Sequence, residues 1–179
     1  HTSLGGVYAR PDCSTSVEGL FVCGETLGGL HGANRIGGNA GLETMVFGRR
    51  AGCSAAAYMD TLSGEPADCT DEISDAAATV NIDALRAELT KIVGGALGVI
   101  REAGKLEQAK TELERMLEQI PESGCYAQQR LRNDTLTAYA VTLAALERKT
   151  STGCHVRTDS AGEPEKYRVN IRCENGRAV

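Results

Sequence analysis

A chain of 179 residues with 41% hydrophobic residues can bury a core, but 4% aromatic residues and no Trp make it a core of Ala, Gly and Leu. A net charge of -5 with no basic block argues against nucleic acid as a partner. No apolar run approaches the length of about 18 residues that a membrane span needs, and seven scattered cysteines without a C-x-x-C pair suit a reducing cytoplasm better than secretion.

In chain order, Val7-Tyr8-Ala9-Arg10 and Leu20-Phe21-Val22-Cys23 are short apolar runs bounded by turn formers and read as strands. Pro11-Asp12-Cys13-Ser14 supplies turn chemistry between them. From Ala40 to about Leu62, Leu42, Met45, Val46, Gly52, Cys53, Ala56 and Ala57 fall on one helical stripe. Such small residues predict a helix buried on several sides. Ser63-Gly64-Glu65-Pro66 ends it, and five acids without a base (Glu65, Asp68, Asp71, Glu72, Asp75) mark a linker over 63–80.

Asn81 is placed to cap a helix. Apolar residues then recur at three-to-four spacing from Leu85 to Ile120, broken near Gly94–Gly104, where each glycine costs roughly 1 kcal/mol relative to Ala. Two helices are expected there, the second stopped by Pro121. A third, from about Cys125 to Lys149, is expected to face Leu131, Leu136, Tyr139, Leu143 and Leu146 inward. Short connections then imply an antiparallel three-helix bundle over 81–179, with Tyr167-Arg168-Val169-Asn170-Ile171 as a terminal strand.

The residues best suited to chemistry lie in the glycine-rich run from Gly24 to Gly52. It holds a lone carboxylate, Glu25, on a glycine turn; Arg35 among small residues; and Gly37-Gly38-Asn39 leading into a helix. Glycines let main-chain N–H groups approach a ligand, and a helix N-terminus carries unpaired donors and partial positive charge. The run suits a large, polar, partly anionic ligand. Glu25 could equally cap a turn, Arg35 could pair with Glu43 or Glu25, and His31 could be a packed loop histidine.

His1-Thr2-Ser3-Leu4-Gly5-Gly6-Val7, Glu18-Gly19-Leu20-Phe21-Val22-Cys23-Gly24-Glu25 and His31 through Asn39 together resemble the succinate dehydrogenase and fumarate reductase flavoprotein family, to which L-aspartate oxidase belongs. The likeness is specific over the first 52 residues and looser beyond. It implies a mainly α chain with minor β: the C-terminal part of an FAD-binding α/β domain (1–62), the linker, and the helical bundle with its short strand tail. Because the chain starts at His1 inside a motif, it reads as a C-terminal fragment.

The resemblance also implies roles. Glu25, after Gly24, would accept hydrogen bonds from the ribityl or ribose hydroxyls of FAD. Arg35 would fork onto one carboxylate of a C4 dicarboxylate substrate, a planar match that Lys cannot reproduce. His1 would hold the second carboxylate. Asn39, Ala40, Gly41 and Leu42 would lie at the flavin's pyrimidine edge, where the helix N-terminus favours negative charge. The family often has Asn-Ser-Leu there, so a hydroxyl contact is missing, and the string is closer to flavocytochrome-type fumarate reductases, which lack an appended bundle. Farther on, Ser151-Thr152-Gly153-Cys154-His155-Val156-Arg157 resembles the family's SRGxHxR stretch, with Thr152 in place of its first Arg and Thr150 in place of the preceding Glu. His155 and Arg157 are expected to tie the bundle to the flavin domain.

No G-x-G-x-x-G pyrophosphate cradle follows a strand. The Arg that delivers a proton in the family lies upstream of the stretch matched here, and Arg49 and Arg50 are expected to face solvent or phosphate. The chain by itself is therefore expected to be inactive and to self-associate through apolar surface. The implied activity is fumarate–succinate interconversion, in the cytoplasm or at the membrane through partner subunits. The alternatives are an L-aspartate oxidase-like flavoenzyme and a non-enzymatic helical module that docks an iron–sulfur subunit.

Overall fold

In the computed structural model, which describes residues 3–64, 78–160, 162, 167–174 and 177–178, Asp12 turns the chain where turn chemistry is expected. Its carboxylate accepts from the Ser14 amide at 3.0 Å and the Ser14 hydroxyl at 2.7 Å. The runs on either side are not strands. Only single bridges form, Ser14 with Phe21 and Val7 with Leu27. Pro11 has no N–H to give, and Cys13 takes a positive φ of 69° that ends the extended path.

The chain divides into two compact units, His1–Asp68 and Cys69–Val179. Among its described residues the first contains a 3₁₀ turn at Gly24–Thr26 and helix α1, Asn39–Met59. Gly38, at a φ of 85°, makes the left-handed step into α1, and no side chain caps it. Only Glu43 and Ala51 of α1 are buried. The expectation of a helix buried on several sides fails: Leu42 and Met45 are 64% and 77% exposed. The short segments before α1 pack against one face of it and leave the apolar stripe outside. The acidic residues from Glu65 to Asp75 lie outside the described residues.

The second unit is helical: α2 (Ile82–Ala96), α3 (Ala103–Gln119) and α4 (Tyr126–Glu147). Asn81 caps α2 as its sequence position suggests, its side chain accepting from the Ala84 amide at 3.1 Å. The glycine-weakened stretch opens into a connection carrying β1 (Ile100–Arg101), which pairs in parallel with β2 (Val156–Arg157). Arg132 on α4 closes α3 by donating to the Leu117 and Ile120 carbonyls at 2.9 and 2.7 Å, satisfying acceptors that a helix end leaves open.

The three helices share one core of Leu89, Ile92, Ala96, Ala109, Leu113, Met116, Ile120, Leu131 and Ala138. The buried face of α4 differs from the expected leucine stripe. It runs Gln128, Leu131, Thr135, Ala138, Thr142, Ala145, a three-four alternation that packs one seam against neighbouring helices. Thr135 and Thr142 are tolerated because each hydroxyl donates to the carbonyl four residues back, Leu131 and Ala138, at 2.8 Å. Leu136, Tyr139, Leu143 and Leu146 flank this seam, half-buried.

Tyr167–Ile171 forms no strand; the paired residues come later, β3 (Cys173–Glu174) with β4 (Arg177–Ala178), antiparallel. His155 and Arg157 are buried and structural, but their partners lie within their own unit. Arg157 grips Asp159 with two nitrogens and the Ala145 and Arg148 carbonyls with a third. Asp159 also accepts from the Ala103 amide at the start of α3. These hydrogen bonds hold the Asp159 carboxyl well below the usual carboxylate range. The cluster thus binds the ends of α3 and α4 to the segment after them.

Candidate functional site

The N-terminal segment is laid against the 3₁₀ turn by main-chain bonds. The Val7 amide donates to the Thr26 carbonyl at 2.8 Å, and the Gly28 amide to the Val7 carbonyl at 2.9 Å. This seats Ser3 beside the turn, where its amide donates to Glu25 Oε1 at 2.8 Å. Gly24, at a φ of 69°, provides the backbone step that begins the turn.

The loop after the turn and the first turns of α1 enclose a cavity of about 280 Å³ with the same N-terminal segment. Ser3, Leu4, Gly5, Glu25, Leu27, Gly29, Leu30, His31, Gly32, Arg35, Ala40, Glu43 and Thr44 line it. Of the expected site residues, the cavity brings Glu25, Arg35 and Ala40 together. Gly24, Asn39, Gly41 and Leu42 lie outside its lining, and Leu42 is mostly exposed. His1 lies outside the described residues.

Arg35 makes no ion pair with Glu43 or Glu25. Glu43 instead meets His31, with Nε2 of the ring 2.7 Å from its Oε2. Among the described residues no ion pair forms at Arg35, which lines the cavity. The His31–Glu43 pair was not legible from motif positions. Its one sequence signal is an acid on the first turns of a helix with otherwise small or apolar neighbours.

The lining is chemically mixed in the way a polar, ring-bearing ligand requires: leucines, glycine main chain, a carboxylate for hydroxyls and an arginine for an anion. Gly5 and Gly32 take positive φ values of 109° and 60°, and a Cβ at either would stand in open space. Ligand sites run from about 300 to 1,000 Å³, so this cavity has the size of part of such a site.

Residues 86–168 match the family described as fumarate reductase flavoprotein C-term, and residues 1–40 the one described as FAD binding domain. An uncharacterized FAD-dependent oxidoreductase of Methanocaldococcus jannaschii is 35% identical, over 96% of this chain and 34% of its own length. A fumarate reductase (CoM/CoB) subunit of Methanothermobacter marburgensis is 33% identical, over 89% of this chain and 32% of its own length. L-aspartate oxidases are also among the relatives. In three dimensions the Mycobacterium smegmatis Sdh1 complex in the apo form matches with a TM-score of 0.73 at 31% identity, over 89% of this chain and 31% of that one.

The chain spans about a third of the length of these relatives. It belongs to the fumarate reductase, succinate dehydrogenase and L-aspartate oxidase family of flavoproteins, and FAD is the cofactor that this membership assigns. The cavity's arginine, carboxylates and glycine main chain fit part of that cofactor. Among the described residues no helix is long and apolar enough to cross a membrane.

Proposed function

We propose that this chain is the C-terminal part of a longer FAD-dependent oxidoreductase that interconverts fumarate and succinate. The observation that carries the reading is the convergence of Glu25, Arg35 and Ala40, from three separate segments, on one glycine-lined cavity. Glu25 accepts hydrogen bonds from FAD hydroxyls, with Gly24 keeping the main chain close. Arg35 forks onto one carboxylate of the C4 dicarboxylate and His1 holds the other. The first turn of α1, Asn39, Ala40, Gly41 and Leu42, presents amides and partial positive charge to the pyrimidine edge of the flavin. Bound FAD supplies hydride exchange with the dicarboxylate.

In this reading residues 1–62 complete the FAD-binding domain, 63–80 connect, and 81–179 form the helical domain. The bundle is antiparallel: β1 leads into α3, and β2, which follows α4, lies beside β1, so a chain that leaves along α3 returns along α4. The likeness to the Sdh1 complex supports partner subunits; the proposed partner is an iron–sulfur subunit, with membrane association through partners of an otherwise cytoplasmic protein. The chain alone lacks a pyrophosphate cradle and is inactive. The exposed Leu42, Met45 and Ile36 favour self-association when it is isolated, and a monomer in light scattering at high concentration would count against that.

An aspartate oxidase activity is the second reading, supported by such enzymes among the relatives. Arg35-Ile36-Gly37-Gly38-Asn39 favours the dehydrogenase form, since the oxidases usually carry Ala-Ser at the glycine pair. The test is turnover by the longer flavoprotein. Succinate oxidation with a dye acceptor is expected; turnover of aspartate with oxygen, without succinate oxidation, would replace this reading with the oxidase.

A further inference from the structure

Glu43 is the buried acid of α1, with 5% of its side chain exposed, and its partner is His31 at 2.7 Å. Burying a carboxylate is unfavourable unless a partner compensates for lost water. That partner is not itself buried out of reach. His31 keeps 19% of its side chain exposed and lines the cavity shared by Glu25 and Arg35. One end of the pair is thus fixed inside the unit while the other borders the ligand space. A carboxylate only accepts, so Nε2 carries the proton toward Glu43, and Nδ1 is the ring atom left for a ligand.

We infer that His31 is a second anion-binding side chain of this cavity, and that Glu43 is a positioning residue that holds its ring for the task. The inference rests on the reading of the cavity as a dicarboxylate site. The charged groups lining the cavity are Glu43 from α1, Glu25 from the 3₁₀ turn, and His31 and Arg35 from the loop. Among the described lining residues Arg35 is the one fixed positive charge, enough for one of the two negative charges of a dicarboxylate, with two carboxylates already in the wall. A proton taken up at Nδ1 with the dianion supplies a further positive charge and a donor on the ring nitrogen that Glu43 does not hold. Glu43 remains the acceptor for Nε2–H and keeps the ring from turning. One proton enters from solvent for each dianion bound, and no bond to the ligand is made or broken.

The test is calorimetric titration of succinate into the longer flavoprotein in two buffers of different ionisation enthalpy, which counts protons taken up. Wild type is expected to take up protons as succinate binds at pH 8. His31→Gln is expected to retain FAD, lose the uptake and bind about 10- to 100-fold more weakly. Glu43→Gln, which keeps an acceptor for Nε2–H, is expected to reduce uptake and weaken binding by about tenfold at pH 8. Nitrogen NMR of the 179-residue chain, which has three histidines, reads the tautomer directly; the neutral His31 ring is expected to be Nε2–H.

Unchanged uptake and affinity in His31→Gln, or an Nδ1–H tautomer in wild type, would overturn the inference. If His31→Gln does not retain FAD, Glu43→Gln and the tautomer decide. Arg35→Gln separates the two levels. If it abolishes succinate binding while His31→Gln changes nothing, the dicarboxylate site stands and the role of His31 falls. If Arg35→Gln binds as wild type, the reading of the cavity falls and the inference with it.

Discussion

Arg101 donates to His155 Nδ1 at 2.8 Å, and the same ring's Nε2 donates to the Arg148 carbonyl at 2.9 Å. An arginine can only donate, so the ring must be neutral with its proton on Nε2. Burial pushes the imidazole below its usual value of 6.5, and the charges of Arg101, Arg157 and Arg148 push the same way, against the Arg148 carbonyl bond. Below pH 6.5 the unfolded chain takes up a proton that the folded ring refuses. His155 therefore contributes stability that is present above about pH 6.5 and lost as pH falls toward its lower folded value, with a slope of at most about 1.4 kcal/mol per pH unit. Denaturant unfolding between pH 8 and 5 should show a shallower pH dependence for His155→Gln than for wild type.

Gly28 and Gly6 should not tolerate a methyl group. A Cβ on Gly28 would stand 2.6 Å from the Gly6 carbonyl oxygen, and one on Gly6 would stand 2.3 Å from that of Thr26. The neighbours are main chain and cannot swing aside. Gly28→Ala should break the Val7–Leu27 bridge and destabilise the first unit by about 1–3 kcal/mol. Gly95→Ala, on the open side of α2 with nothing within 4 Å of its Cβ, should stabilise the second unit by about 0.5–1 kcal/mol. Thermal unfolding of the two variants should move in opposite directions.

What was legible in the sequence depended on how local the signal is. Asn81 as a cap, the break between α2 and α3, and the stop at Pro121 each follow from one or two residues and their neighbours. The face of α4 was not legible, because Thr135 and Thr142 are polar until their hydroxyls fold back onto their own helix. A hydrophobic stripe therefore selects the flanking leucines. The exposure of α1 was hidden for a different reason: its small residues predict close packing without saying what packs against them. In the site, Glu25 and Arg35 stood out by motif. Glu43 did not, since its pairing with His31 depends on how the loop between them closes.

Two of the polar residues in the α4 seam, Gln128 and Thr142, contrast. Gln128 accepts from both the amide and the hydroxyl of Thr79 and donates to the Ser123 carbonyl. Gln128→Leu should leave these groups without partners and cost about 1–3 kcal/mol. Thr142→Val keeps the shape and removes a hydroxyl whose acceptor is already bonded within the helix, so its change should stay within about 1 kcal/mol. Urea unfolding of the two variants checks the difference.

In the proposed site Arg35 binds a substrate carboxylate beside FAD. The most direct test is fumarate reduction by the longer flavoprotein carrying Arg35→Lys, with flavin content measured on the same sample. Full FAD content and a kcat/KM lowered about 100-fold are expected, because an ammonium keeps the charge and loses the fork. Full FAD content with kcat/KM within about twofold of wild type would contradict that role.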